Sequence, residues 1–142
     1  MIIKDAKAMI PSEISKMLKD ENPLFNAYYS LIEHIMEPGV ISVDLSDFME
    51  GTKHATRIKL ILQQTEFTSE ACLIKTLKIL PKHHNLKSIW VDISLNSETQ
   101  DKILEYVDTI SKCINTNIAT KTEIVFIDTL SGKNQICILE FS

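Results

Sequence analysis

The 142 residues are 44% hydrophobic and 24% charged with a net charge of −4, a balance that suits one soluble globular domain with a sizeable core. It sets aside a disordered chain, a nucleic-acid surface built on a basic patch, and a bilayer span, for which no apolar run reaches about 20 residues. Neither nucleic acid nor membrane is an expected partner. Cys72, Cys113 and Cys137 are odd in number, widely spaced and each set in an apolar pattern. Reduced thiols and a cytoplasmic location are therefore expected. The opening M-I-I-K-D-A-K has no apolar core of the secretory kind.

Residues 1–22 read as an N-terminal extension with a weak pattern. Asn22-Pro23 opens a helix over 23–36, in which Leu24, Tyr28, Leu31, Ile32 and Ile35 make one apolar stripe. Pro38-Gly39 closes it, and a short extended segment over 40–43 follows. Asp44 then stands at an N-cap position, with Asp47 in the first turn of a helix over 45–50. Read locally, this D-x-x-D is a cap plus an acid at the positive end of a helix dipole.

An alternating strand over 57–63 puts Ile58, Leu60 and Leu62 on one face. Thr68-Ser69 caps a helix with the stripe Ala71, Ile74, Leu77 and Leu80, stopped by Pro81. A strand over 87–95 directs Ile89, Val91, Ile93 and Leu95 to one side and Trp90 to the other, under a helix. Ser97-Glu98-Thr99-Gln100 has the form of a capping box. It opens a helix with Ile103, Leu104, Val107, Ile110 and Ile114 inward and Glu98, Asp101, Glu105 and Asp108 on a solvated face. Strands over 123–129 and 135–141 are joined by Ser131-Gly132-Lys133, which reads as a hairpin turn. The expected fold is an α/β (α+β) two-layer sandwich over 55–142. Its four-stranded mixed sheet runs β-α-β-α-β-β, and the amphipathic helix completes a domain spanning 23–142.

Two kinds of chemistry find no support. His34, His54, His83 and His84 show no ligand spacing, so no metal site is expected. Gly39, Gly51 and Gly132 are too far apart for a phosphate-cradling loop, so no nucleotide cofactor held by this chain alone is expected.

The segment L-I-E-H-I-M-E-P-G-V-I-S-V-D-L-S-D-F-M, residues 31–49, resembles the synergy loop of FtsZ, the bacterial tubulin homologue. Pro38, Gly39, Asp44 and Asp47 match its pattern, and Ser46 and Phe48 fit tolerated positions. Ser42 replaces the family's asparagine, and Arg57-Ile58-Lys59-Leu60 replaces a small-residue stretch. The order of elements downstream also looks like the C-terminal domain of that family. The Gly-rich tubulin signature of the GTP-binding half is absent, so the expectation is a standalone or excised domain.

The resemblance implies that Asp44 and Asp47 act in trans as catalytic carboxylates on GTP held by a neighbouring protomer. It implies an interface of Pro38, Gly39, Ser42, Ser46 and Phe48, with GTP and Mg present only where a partner subunit meets this one. The expected function is docking on an FtsZ-type protomer, or self-association, that contributes to filament assembly and GTP hydrolysis in cell division. On its own the chain is not expected to be an enzyme. The alternative is a small-molecule-binding or oligomeric regulatory domain that reuses the same sandwich without a catalytic role.

Overall fold

Two segments read as nearly continuous apolar runs, S-I-W-V-D-I-S-L and Q-I-C-I-L-E-F, and both become strands at the centre of the sheet. The computed structural model describes residues 23–41, 43–53, 55, 57–80, 88–117 and 123–142. The readings made for residues 1–22, Ser42, His54, Pro81, His83 and His84 fall outside them. Helices α1 (Pro23–Met36) and α2 (Leu45–Thr52) precede β1 (Ile58–Glu66), α3 (Glu70–Lys78) and β2 (Ser88–Leu95). A short 3₁₀ turn at Gln100–Lys102 leads into α4 (Ile103–Asn117), and β3 (Glu123–Leu130) and β4 (Gln135–Phe141) complete the domain.

The sheet runs β1-β4-β2-β3, with β3 parallel to β2 and β4 antiparallel to both β1 and β2. The expected hairpin is therefore corrected: β3 and β4 are not neighbours. Their short link crosses the end of β2, where Ser131 N–H donates to the Leu95 carbonyl at 2.8 Å. Skipping one strand means covering about 10 Å, which three or four extended residues can do. Burial favours this order. Both apolar strands need neighbours on either side, whereas β1 and β3 carry more exposed residues and stand at the edges.

On one face α3 and α4 cover Ile89, Val91, Ile93, Leu95, Ile136 and Ile138, forming the sandwich. On the other, α1 and α2 cover Trp90, Ile127, Leu139 and Phe141, as the stripe of α1 requires. Among the described residues no helix is long and apolar enough to cross a membrane.

Three local readings shift. The register of β1 slips between Leu60 and Leu62, so Ile61 is an extra residue opposite β4. A bulge of this kind turns the following side chains over: Leu60 joins the α1 face and Leu62 the α3 face. In α3, Leu73 and Leu77 are buried and Ala71 is exposed. In α4, Tyr106 is buried and Leu104 is 69% exposed, because the buried stripe is Ile103, Tyr106, Ile110 and Ile114 and Leu104 lies off it. The expected box does not form: no side chain caps the 3₁₀ turn at Gln100, and Asn96 instead holds the turn that precedes it. Its Oδ1 accepts from Glu98 N–H at 3.1 Å and Thr99 N–H at 3.0 Å.

Candidate functional site

The backbone between α1 and α2 is fixed from an unexpected direction. After Met36 the chain reaches the outer edge of β3, where Gly39 N–H donates to the Asp128 carbonyl at 2.9 Å. Val40 N–H then donates to Asp128 Oδ2 at 2.9 Å and Ile41 N–H to Oδ1 at 2.6 Å. Asp128 is fully buried. The extended segment expected at 40–43 is thus a bend at Val40 and Ile41, because these N–H groups are taken by a side chain rather than a neighbouring strand. Gly39 is required here by closeness: an added Cβ would overlap Oδ2 of Asp128 and sit 2.9 Å from its Cγ. The turn also shields part of an edge strand that would otherwise be open for pairing.

Past the bend, Asp44 is the N-cap of α2, as its position in the sequence suggests. Its Oδ1 accepts from Asp47 N–H at 2.9 Å and from the Ser46 hydroxyl at 2.7 Å. These two donors, the Ser46 hydroxyl foremost, hold the Asp44 carboxyl below its ordinary range. Asp44, Ser46 and Asp47 are all exposed. Asp44→Ala is expected to lower stability by about 1 kcal/mol, the usual worth of a cap, with the fold intact by far-UV circular dichroism.

Phe48 corrects the interface reading. Its side chain is fully buried among Tyr28, Trp90 and Phe141, with ring centroids 6.1, 5.1 and 5.6 Å away, so it serves the core and offers nothing to a partner. Pro38 and Gly39 remain on the loop, and Ser42 falls outside the described residues. Trp90, expected under a helix, meets the Phe48 ring edge-on at 82°.

His34 contributes through a pairing the sequence did not announce. Its Nδ1 lies 2.7 and 2.9 Å from the two carboxylate oxygens of Asp92, joining α1 to the central strand. Burial alone would depress the His34 pKa, but the Asp92 hydrogen bond and charge, aided by Glu33 and Glu37, raise it above 6.5. Asp92 lies above its ordinary range because its burial outweighs the help from His34. Both shifts mean that the folded chain holds more protons than the unfolded one, so stability falls as pH rises. The His34 contribution is whole below pH 6.5 and is lost as pH climbs through the raised folded value. Urea midpoints measured from about pH 6 to pH 8 should therefore decline, and His34→Gln should flatten the decline. An identical slope in that variant would refute the assignment.

No family model matches the sequence, and no curated protein matches it. Solved structures do. An empty FtsZ dimer from M. jannaschii superposes with a TM-score of 0.64 at 14% identity, over 92% of this chain and 43% of that one. A mutant FtsZ from the same organism gives 0.66 at 15% identity, over 95% of this chain and 42% of that one. The chain has the fold of the FtsZ C-terminal domain. It spans less than half the length of those FtsZ chains, and at such identity the likeness is one of architecture.

Within this FtsZ-like domain the structure brings Asp44, Ser46 and Asp47 together on one exposed turn, where sequence reasoning put them. Sequence reasoning missed Asp128 and the His34–Asp92 pair. The available signal was an aspartate inside each of two apolar strand patterns, I-V-F-I-D-T-L and I-W-V-D-I, where a buried acid requires a partner. Among the described residues no cluster of His, Cys, Asp and Glu could hold a metal ion.

Proposed function

We propose that this domain docks through its 38–48 loop on the nucleotide-bearing face of an FtsZ-type protomer and modulates filament assembly and GTP hydrolysis in cell division. The observation that carries the reading is the exposure of Asp44 and Asp47 on a pinned loop of a domain with the FtsZ C-terminal fold. Phosphoryl transfer is served mainly by positioning and electrostatics, so carboxylates held on a rigid turn can orient an attacking water without binding nucleotide themselves. GTP and Mg would then be supplied by the partner, in keeping with three scattered glycines. A head-to-tail contact of this kind is heterologous, joining one face of this domain to a different face of its partner. One of the similar structures is a dimer of FtsZ, which makes a second protomer the partner to test first.

The test adds the purified domain to FtsZ from the same organism and follows sedimented polymer and phosphate release. The domain should change both in proportion to its concentration, and no change in either would refute the docking reading.

The second reading, small-molecule binding, is favoured by one feature. A pocket of about 170 Å³ lies between α1 and the sheet, lined by Ser30, Gln63, Gln64, Asp92, Ser94 and Cys137 among others. That volume is below the roughly 300 Å³ at which ordinary ligand sites begin. The larger spaces, about 520 Å³ beside Pro38, Gly39 and Val40 and about 600 Å³ beside Asn96 and Gly132, are open surface grooves and not enclosed sites. Docking is therefore the better-supported function.

A further inference from the structure

We propose that Asp128 is the positioning residue of the 38–48 loop, the buried group on β3 that sets where Asp44 and Asp47 stand toward a partner. This rests on the docking reading and names how that surface is controlled.

The loop is tethered at both ends by the core. Ile35 in the last turn of α1 is buried, and so is Phe48 in the first turn of α2. Between these tethers the backbone N–H groups of three successive residues, Gly39, Val40 and Ile41, all end on Asp128. One of these bonds uses the backbone carbonyl, and the other two use one carboxylate oxygen each. A carboxylate is suited to this because both its oxygens accept, whereas an amide of the same shape offers one acceptor and one donor. The absence of a Cβ at Gly39 lets the turn come down onto the carboxylate, so the two residues act as a unit. Asp128 is fully buried and does not itself meet a partner. Its influence reaches Asp44 and Asp47 only through the backbone it holds, which makes it a positioning residue and not a catalytic one.

Asp128→Asn tests this directly. Amide hydrogen exchange at Val40 and Ile41 should quicken about tenfold while the central amides of β2 stay protected. The concentration of domain needed for its half-maximal effect on GTP turnover by the host FtsZ should rise about tenfold. The effect at saturation should stay unchanged, since Asp44 and Asp47 are intact; a merely structural role would not divide the two quantities. Gly39→Ala approaches the same contact from the loop side and keeps the test open if Asp128→Asn fails to fold. Its effect and that of Asp128→Asn should not add in the double variant. Unchanged exchange at Val40 and Ile41 overturns the proposal, as does a loosened loop with an unchanged half-maximal concentration. If the wild-type domain leaves turnover untouched, the docking reading fails and takes this one with it. The exchange data then show separately whether Asp128 holds the loop.

Discussion

Phe48→Ala is expected to lower stability by about 3–5 kcal/mol, the range for truncating a fully buried phenylalanine. The ring touches Tyr28, Trp90 and Phe141, and pairs of this kind add roughly 0.5–1.5 kcal/mol each beyond area burial. Since small domains are stable by only about 5–15 kcal/mol, the alanine variant should be partly unfolded well below the wild-type melting temperature. Phe48→Leu separates the core role from an interface role. It preserves most of the volume and should leave docking intact, with a modest fall in the urea midpoint. Loss of docking by a folded Phe48→Leu variant would restore Phe48 to the interface.

The second large effect is expected at the bend. Gly39→Val places a branched side chain where even a single Cβ would overlap the Asp128 carboxylate. The turn must lift, and the N–H bonds of Val40 and Ile41 to that carboxylate weaken or break. Overpacking and the loss of such bonds together amount to about 3 kcal/mol. The measurement is a urea titration read by Trp90 fluorescence, supported by nuclear magnetic resonance of the loop amides. The shifts should concentrate at residues 38–48 and at the end of β3. A variant as stable as the wild type, with unmoved loop signals, would show that the close approach of Gly39 to Asp128 is not needed.

How much of this was legible in the sequence depended on the range of the interaction. The stripe of α1 and the Asp44 cap are settled within one or two helical turns, and the structure has both. So is the alternation that sends Trp90 away from Ile89 and Val91. The bulge at Ile61 needed knowledge of the partner strand, because only the pairing with β4 reveals an extra residue. The order of the strands was illegible for a similar reason. Ser131-Gly132-Lys133 is chemically a turn in either arrangement, and nothing local says that β4 inserts between β1 and β2. Asp128 was the costliest omission. Its partner Val40 is 88 residues away in the chain, and backbone N–H groups leave no mark in a sequence. The motif places Phe48 beside the interface residues, yet a step of one residue round α2 separates exposed Asp47 from the buried ring.

The docking of the loop acids on a nucleotide-bearing protomer is tested most directly by GTP turnover of FtsZ from the same organism, measured with the wild-type domain and with an Asp44→Ala, Asp47→Ala double variant. The wild type should alter the rate in a saturable way. The double variant should remain folded, about 1 kcal/mol less stable through the lost cap, and leave the rate unaltered. Equal effects from the two proteins, or none from either, would contradict the account.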